Sequence, residues 1–217
     1  RYDGSSRLAK GNQWGFMPSF ALGWRVSEEE FMKKADWLIN LKLRLSWGKS
    51  GNNNIDYDIT MSKLELSKYT FGTSGQNGFG TSDVKGNPNL KWEMTSEWNY
   101  GLDFGILNNR ISATIDVYSR LTEDLIFKRS VASINGYTSI LENIGSTTNK
   151  GIEIGLNTLN ISTKDFSWRT NATFSLNRNK IKELYGTGED DLANRWFIGQ
   201  PINVIYDFEK VGIWQEE

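Results

Sequence analysis

The sequence predicts an all-β fold, an antiparallel, up-and-down segment of a transmembrane β-barrel. About six strands of a larger barrel are expected, joined by short periplasmic turns and long external loops. Three observations predict it. Six segments alternate apolar with polar or small residues at period two. Their connections alternate between short and long. One face of the segments carries charges in mid-strand, while the other carries Trp near the strand ends, where amphipathic rings suit a membrane interface.

In the first segment Phe16, Pro18, Phe20, Leu22 and Trp24 share a face. A connector follows in which Ser27-Glu28-Glu29-Glu30 predicts the cap of a short helix through Leu38, with Phe31, Ala35 and Leu38 on one stripe. The second segment sets Leu41, Leu43, Leu45 and Trp47 against Lys42, Arg44, Ser46 and Gly48. Residues 49–93 then read as a long polar connection, with Gly72, Gly75, Gly78 and Gly80 forming a flexible loop. The third segment is the clearest: Trp98, Tyr100, Leu102, Phe104 and Ile106 oppose Glu97, Asn99, Gly101, Asp103 and Gly105.

Asn108-Asn109 signals a tight hairpin, because Asn tolerates positive φ. The fourth segment sets Ile111, Ala113, Ile115 and Val117 against Ser112, Thr114, Asp116 and Tyr118. Residues 122–150 read as the second long connection. The fifth segment sets Ile152, Ile154 and Leu156 against Glu153, Gly155 and Asn157. A short polar turn around residues 162–165 leads to the sixth, where Trp168, Thr170, Ala172, Phe174 and Leu176 oppose Arg169, Asn171, Thr173, Ser175 and Asn177. Everything after Lys180 reads as loop.

Composition removes several function classes. The 217 residues contain no Cys and no His, so there is no thiolate site, no cysteine nucleophile and no histidine base. A Ser-His-Asp triad cannot be drawn, and no enzyme activity or cofactor is expected. Lys+Arg 25 against Asp+Glu 26 leaves a net charge of −1, without the basic stripe that nucleic-acid binding needs. No apolar run approaches the ~18 residues of a transmembrane helix, which leaves a β-barrel open.

The order and spacing of several motifs resemble the SusC/RagA family of TonB-dependent outer-membrane transporters. They are Arg1-Tyr2-Asp3-Gly4-Ser5-Ser6-Arg7, Trp14-Gly15-Phe16-Met17-Pro18-Ser19 and Gly23-Trp24-Arg25-Val26-Ser27-Glu28-Glu29, then Gly48-Lys49-Ser50-Gly51-Asn52 and Asn87-Pro88-Asn89-Leu90-Lys91-Trp92-Glu93. Asn149-Lys150-Gly151-Ile152-Glu153 and Asn177-Arg178-Asn179-Lys180-Ile181 complete the series. The resemblance implies that residues 1–217 are part of a single barrel domain in the cell outer membrane. The plug and TonB box that family members carry are expected outside these residues. It implies import of large nutrients, glycans or peptides, with a SusD-like surface lipoprotein as partner and TonB acting through the plug. A plugged transporter barrel has about 22 strands, so six would be about a quarter of one.

On that reading Glu97, Asn99, Asp103, Glu153 and Arg169 face the lumen, and Leu102 and Phe104 face lipid. The loop aromatics Tyr57, Tyr69, Phe79, Tyr137 and Trp196 are the candidates for contact with substrate or partner, since exposed rings stack on sugars or hold apolar peptide side chains. The alternative for them is to anchor long loops internally. Asn52, Asn54, Asp56 and Asp58 resemble the start of a calcium loop but lack its Gly and distal Glu; no metal site is expected. A second functional reading is a non-transporting outer-surface β protein that binds sugars through the same aromatics.

Overall fold

A computed structural model describes residues 1–209 and 211–212, without the side chains of Tyr69, Phe71 and Asn135. A ribbon of β1 (Tyr2–Gly4) and β2 (Trp14–Phe16) precedes β3 (Ser19–Arg25) and β4 (Leu38–Asn52). Next come the hairpin β5 (Leu64–Phe71) and β6 (Ser74–Thr81), the short β7 (Val84–Lys85), then β8 (Glu93–Ile106) and β9 (Ile111–Glu123). β10 (Ile126–Ser130) and β11 (Ser139–Asn143) lead to the two longest strands, β12 (Ser146–Ser162) and β13 (Ser167–Glu183). The main sheet has six strands in the order β3-β4-β8-β9-β12-β13. Every neighbouring pair in it is antiparallel, so it is a meander with excursions.

The six expected segments are the six strands of this sheet. The first is interrupted at Pro18, between β2 and β3. Pro has no N–H for a ladder; its carbonyl instead accepts from the Lys49 amide at 2.9 Å. The remaining strands run several residues beyond the alternating stretches, because backbone pairing continues where the side chains on both faces turn polar.

Three expectations for the connections need correction. Residues 27–38 form no α-helix. Two 3-10 turns, Val26–Glu28 and Glu30–Met32, flank Glu29, which is extended at φ −74°, ψ 147°. The Glu29 carboxylate accepts from the Trp24 indole at 2.8 Å instead of capping. Phe31 stays exposed, so the Phe31/Ala35/Leu38 stripe has nothing to pack on. The Gly-rich stretch is not an irregular loop. Gly75, Gly78 and Gly80 lie in β6, paired with β5, while Gly72 supplies the positive φ of the turn between them. Residues 122–150 likewise contain β10 and β11.

The tight hairpin is where Asn108-Asn109 placed it, with Leu107, Asn108 and Asn109 all at positive φ. It closes at the row Ile106–Ile111, which continues to Thr158 on β12. The β12–β13 turn closes farther along, beyond the Ser162–Ser167 pair. This end of the sheet therefore steps down the strands from one hairpin to the next, the shear that tilted strands in a barrel require. The sheet is not closed by these strands.

Directly paired residues share a face, so the register sorts every side chain. One continuous row is Trp24–Leu43–Leu102–Ile115–Ile154–Phe174, and the next is Leu22–Leu45–Tyr100–Val117–Ile152–Leu176. Between them runs Gly23–Arg44–Gly101–Asp116–Glu153–Ser175 on the opposite face. Among the described residues the apolar face buries only Ala113. The best-buried core lies in the long loops, where Leu8, Ile55 and Leu90 are 2%, 5% and 0% exposed. Ile59, Trp92, Ile126 and Leu141 pack around it.

Candidate functional site

The polar face carries a network that the register builds. Arg44 on β4 reaches across β8 to β9. Its guanidinium makes two 2.9 Å bonds to Asp103 and two to Asp116. Asp116 lies two strands away, and Gly101 occupies the position between them. A Cβ at Gly101 would stand 2.4 Å from the Arg44 Cζ. Glycine thus opens the window through which a planar, five-donor group spans a strand and satisfies two carboxylates. The side chains are about a fifth to a third exposed, so they remain within reach of water.

The same device recurs one row on. Tyr118 on β9 lies across Gly151 of β12, and its hydroxyl accepts from Asn177 Nδ2 of β13 at 2.9 Å. A Cβ at Gly151 would stand 2.5 Å from the Tyr118 ring. Glu97 and Arg120 are directly paired and form an ion pair at 2.6 Å. The residues assigned to the lumen thus fall into distinct settings. Glu97 and Asp103 are neutralised within the sheet. Asn99 lies between Ser46 and Tyr118 in its row. Glu153 faces Asp116 across the ladder and has no cation within 4 Å among the described residues. Arg169 is exposed near the β12–β13 turn. Sequence reading missed Gly101, Gly151 and Asn177 as members of this network; a glycine alternating with charges in mid-strand is the signal that finds the two glycines.

On the apolar face the Trp residues mark both ends of the strands. Phe20, Trp47 and Trp98 cluster toward the long loops, with centroids about 6 Å apart. Trp24 and Trp168 lie toward the short connections.

Above the sheet, β10, β11 and β7 form a small sheet of their own. Arg129 clamps Glu142 across the β10–β11 pair at 2.6 and 3.1 Å. Those hydrogen bonds hold the Glu142 carboxyl below the usual carboxylate range despite its partial burial. Asn143 ties the loops together: it donates to the carbonyls of Lys91 and Asp124, both at 2.9 Å, and accepts from the Lys91 amide. Beyond β13, burial and then the hydrogen bond to Asp191 push the Tyr185 phenol up to about 12. Asp191 is partly desolvated, yet bonds from Tyr185 and Asn194 outweigh this and hold it below its usual range.

The loop aromatics do not converge. Tyr57 is exposed, with the Arg7 guanidinium 4.6 Å from its ring centroid. Phe79 projects from β6 beside its partner Leu66, both exposed. Tyr137 is half-buried. Trp196 packs on Phe127 at 5.0 Å, as an internal anchor does. The side chain of Tyr69 lies outside the described residues. In the calcium-like stretch, Asn52 donates to Glu93 at 3.3 Å and accepts from the Asn54 amide. Among the described residues no cluster of three acidic side chains is placed to hold a metal.

The family model described as TonB dependent receptor-like, beta-barrel matches residues 1–208. The TonB-dependent receptor SusC of Bacteroides thetaiotaomicron is 43% identical over 198 residues, covering 88% of this chain and 19% of that protein. The TonB-dependent receptor P3 of Formosa agariphila is 35% identical over 227 residues, covering 99% of this chain and 22% of that protein. Among solved structures, the RagAB peptide transporter superposes with a TM-score of 0.80 at 32% identity, over 92% of this chain and 22% of that one. The chain thus spans about a fifth of the length of the relatives it matches.

Proposed function

We propose, from the premise that this chain belongs to the TonB-dependent receptor-like β-barrel family, that it is a sector of wall and external rim in an outer-membrane transporter. The whole protein imports large nutrients, glycan oligosaccharides or peptides, through a lumen lined by the polar face. A SusD-like surface lipoprotein sits on the long loops, and TonB acts through a plug contributed by another part of the protein. This sector carries no chemistry of its own; it lines, supports and presents.

The observation that carries this reading is the division of the sheet. Six strands keep apolar central rows on one face and a charged, largely cross-paired set on the other. A water-soluble sheet with one solvated face would cover its apolar face with another layer. Here those side chains stay largely uncovered, as lipid contact allows. Similarity to a peptide transporter supports peptides among the nutrient classes, and similarity to the TonB-dependent receptor SusC supports coupling to TonB.

Spin labels at Leu102, Asp103 and Phe104 of the full-length protein, reconstituted in bilayers, test the wall. Accessibility to a lipid-soluble relaxer is expected at 102 and 104 and not at 103. Equal accessibility at all three would refute the assigned phase. For the rim, Phe79→Ala and Tyr57→Ala are expected to weaken uptake of labelled oligosaccharide or peptide. Trp196→Ala is expected to loosen the loop around Phe127. Uptake that persists unchanged in cells lacking TonB would remove the transporter reading.

A further inference from the structure

The apolar face ends in two cations that the wall does not use. Counted from the β12–β13 turn, the apolar-face residues of β13 run from Trp168 to Leu176, and the next is Arg178. On β12 they run from Ile161 to Ile152, and the next is Lys150. Each belt is about nine residues, the length with which a tilted strand crosses the hydrocarbon. Lys150 and Arg178 are direct cross-strand partners, and Lys180 follows on the same face of β13. All three are exposed. None has a carboxylate within 4 Å among the described residues. In the row of Lys150, β9 holds Ser119 and the strands beyond it hold Trp98 and Trp47, so among the six described strands cations stand on β12 and β13 where β8 and β4 carry aromatic rings.

A groove lies beneath the pair. It has a volume of about 440 Å³ and is floored by Tyr100, Val117, Ile152 and Leu176, with Lys150 and Arg178 at its rim. An apolar channel below two adjacent, uncompensated cations at the edge of the hydrocarbon is complementary to one kind of occupant, an acyl chain bearing a phosphate. We infer that Lys150 and Arg178 form a site for a phosphate-bearing lipid of the outer leaflet. The chain lies in the groove, and Arg178 grips phosphate oxygens while Lys150 adds a point charge. Lys180 extends the positive field outward. This assignment rests on the membrane-spanning reading above.

The test uses the full-length protein in phosphatidylcholine nanodiscs doped with phosphatidic acid, with retained lipid counted by native mass spectrometry. Phosphatidic acid is expected to be retained in preference to phosphatidylcholine. In the K150Q/R178Q double variant that preference is expected to weaken about tenfold, the loss of a charge-assisted pair of contacts. K150R/R178K is expected to keep it, and K164Q, at the far turn, to leave it unchanged. Excess inorganic phosphate is expected not to displace the lipid. Equal retention of the two lipids by the unaltered protein, or an unchanged preference in K150Q/R178Q, would overturn the site. Displacement by free phosphate would overturn the lipid as occupant. Should K150Q/R178Q fail to assemble, K150Q and R178Q singly are each expected to show a partial loss, and no loss in either would overturn the site. A label at Leu102 in the same discs reports lipid contact whether or not the headgroup binds. Failure of this site is therefore distinguishable from failure of the barrel reading.

Discussion

The wall and the loops above it are built on opposite principles. In the wall, backbone ladders do most of the holding and apolar side chains point away from the rest of the chain, so the described sheet has almost no interior of its own. In the loops, Leu8, Ile55 and Leu90 come from three separated stretches and make a small water-excluding core. The difference teaches where each part gets its stability. The wall depends on what surrounds it, whereas the rim carries its core with it and is pinned by polar staples such as Asn143 and the Arg129–Glu142 pair.

The most disruptive way to break this contrast is Leu90→Ala. Its side chain is fully buried at the meeting point of the loops, and a cavity there is expected to cost about 2–5 kcal/mol. Hydrogen exchange should rise across residues 53–63 and 86–92 while amides of β8 and β9 stay protected. Equal loosening of both would mean that wall and rim are one cooperative unit. Next in size is Leu102→Lys, in the middle of an apolar row. A cation turned to the bilayer midplane costs about 2–4 kcal/mol, read by urea titration of the full barrel in vesicles. A cost near zero would mean that this face meets water.

Arg44→Met keeps the bulk over Gly101 but leaves Asp103 and Asp116 facing each other. The groups are partly solvated, so the expected cost is about 1–2 kcal/mol rather than that of a buried pair. Arg44→Lys should rescue little, because a point charge cannot fork to two carboxylates. The smallest effect is acid loosening of the β10–β11 pair. Glu142 has its affinity for protons lowered in the folded state. Its contribution is therefore present above the ordinary glutamate range and lost as pH falls through and below it. Being half-exposed, the pair is worth at most about 1 kcal/mol. Glu142→Gln should abolish the pH dependence of exchange in β10 without touching β12. Tyr185 runs the other way: its raised pKa, about 12, means that its contribution survives to pH 10 and fades as pH rises toward 12.

Alternation made the wall readable from residues alone. Trp98 to Ile106 announces both a strand and which of its residues share a face, and Asn108-Asn109 announces the hairpin that follows. What alternation does not carry is register. Arg44 and Asp116 are 72 residues apart, and only the pairing of three strands reveals that Gly101 lies between them. Alternation also stops where the lipid stops. Reading of the alternation therefore ended near Ile152 and Asn177; Lys150 was placed in a connection although it lies in β12, and Arg178, just past the alternating stretch, continues β13. The β5–β6 hairpin escaped notice because a strand of Ser, Gly, Gln and Asn has no pattern to show. The acidic run 28–30 suggested a helix because capping chemistry was present, while Trp24 had already claimed the key carboxylate.

The glycine windows have a consequence for the transport path proposed above. Arg44, Asp103, Asp116, Glu97 and Arg120 balance their charges strand to strand, at home within the lining. On the lumen reading proposed above, a passing solute would meet few unpaired charges on this face: Glu153, Lys42 and Arg169 have no opposite charge within 4 Å among the described residues. Such a lining would favour passage over capture, with those three side chains as the places to hold on.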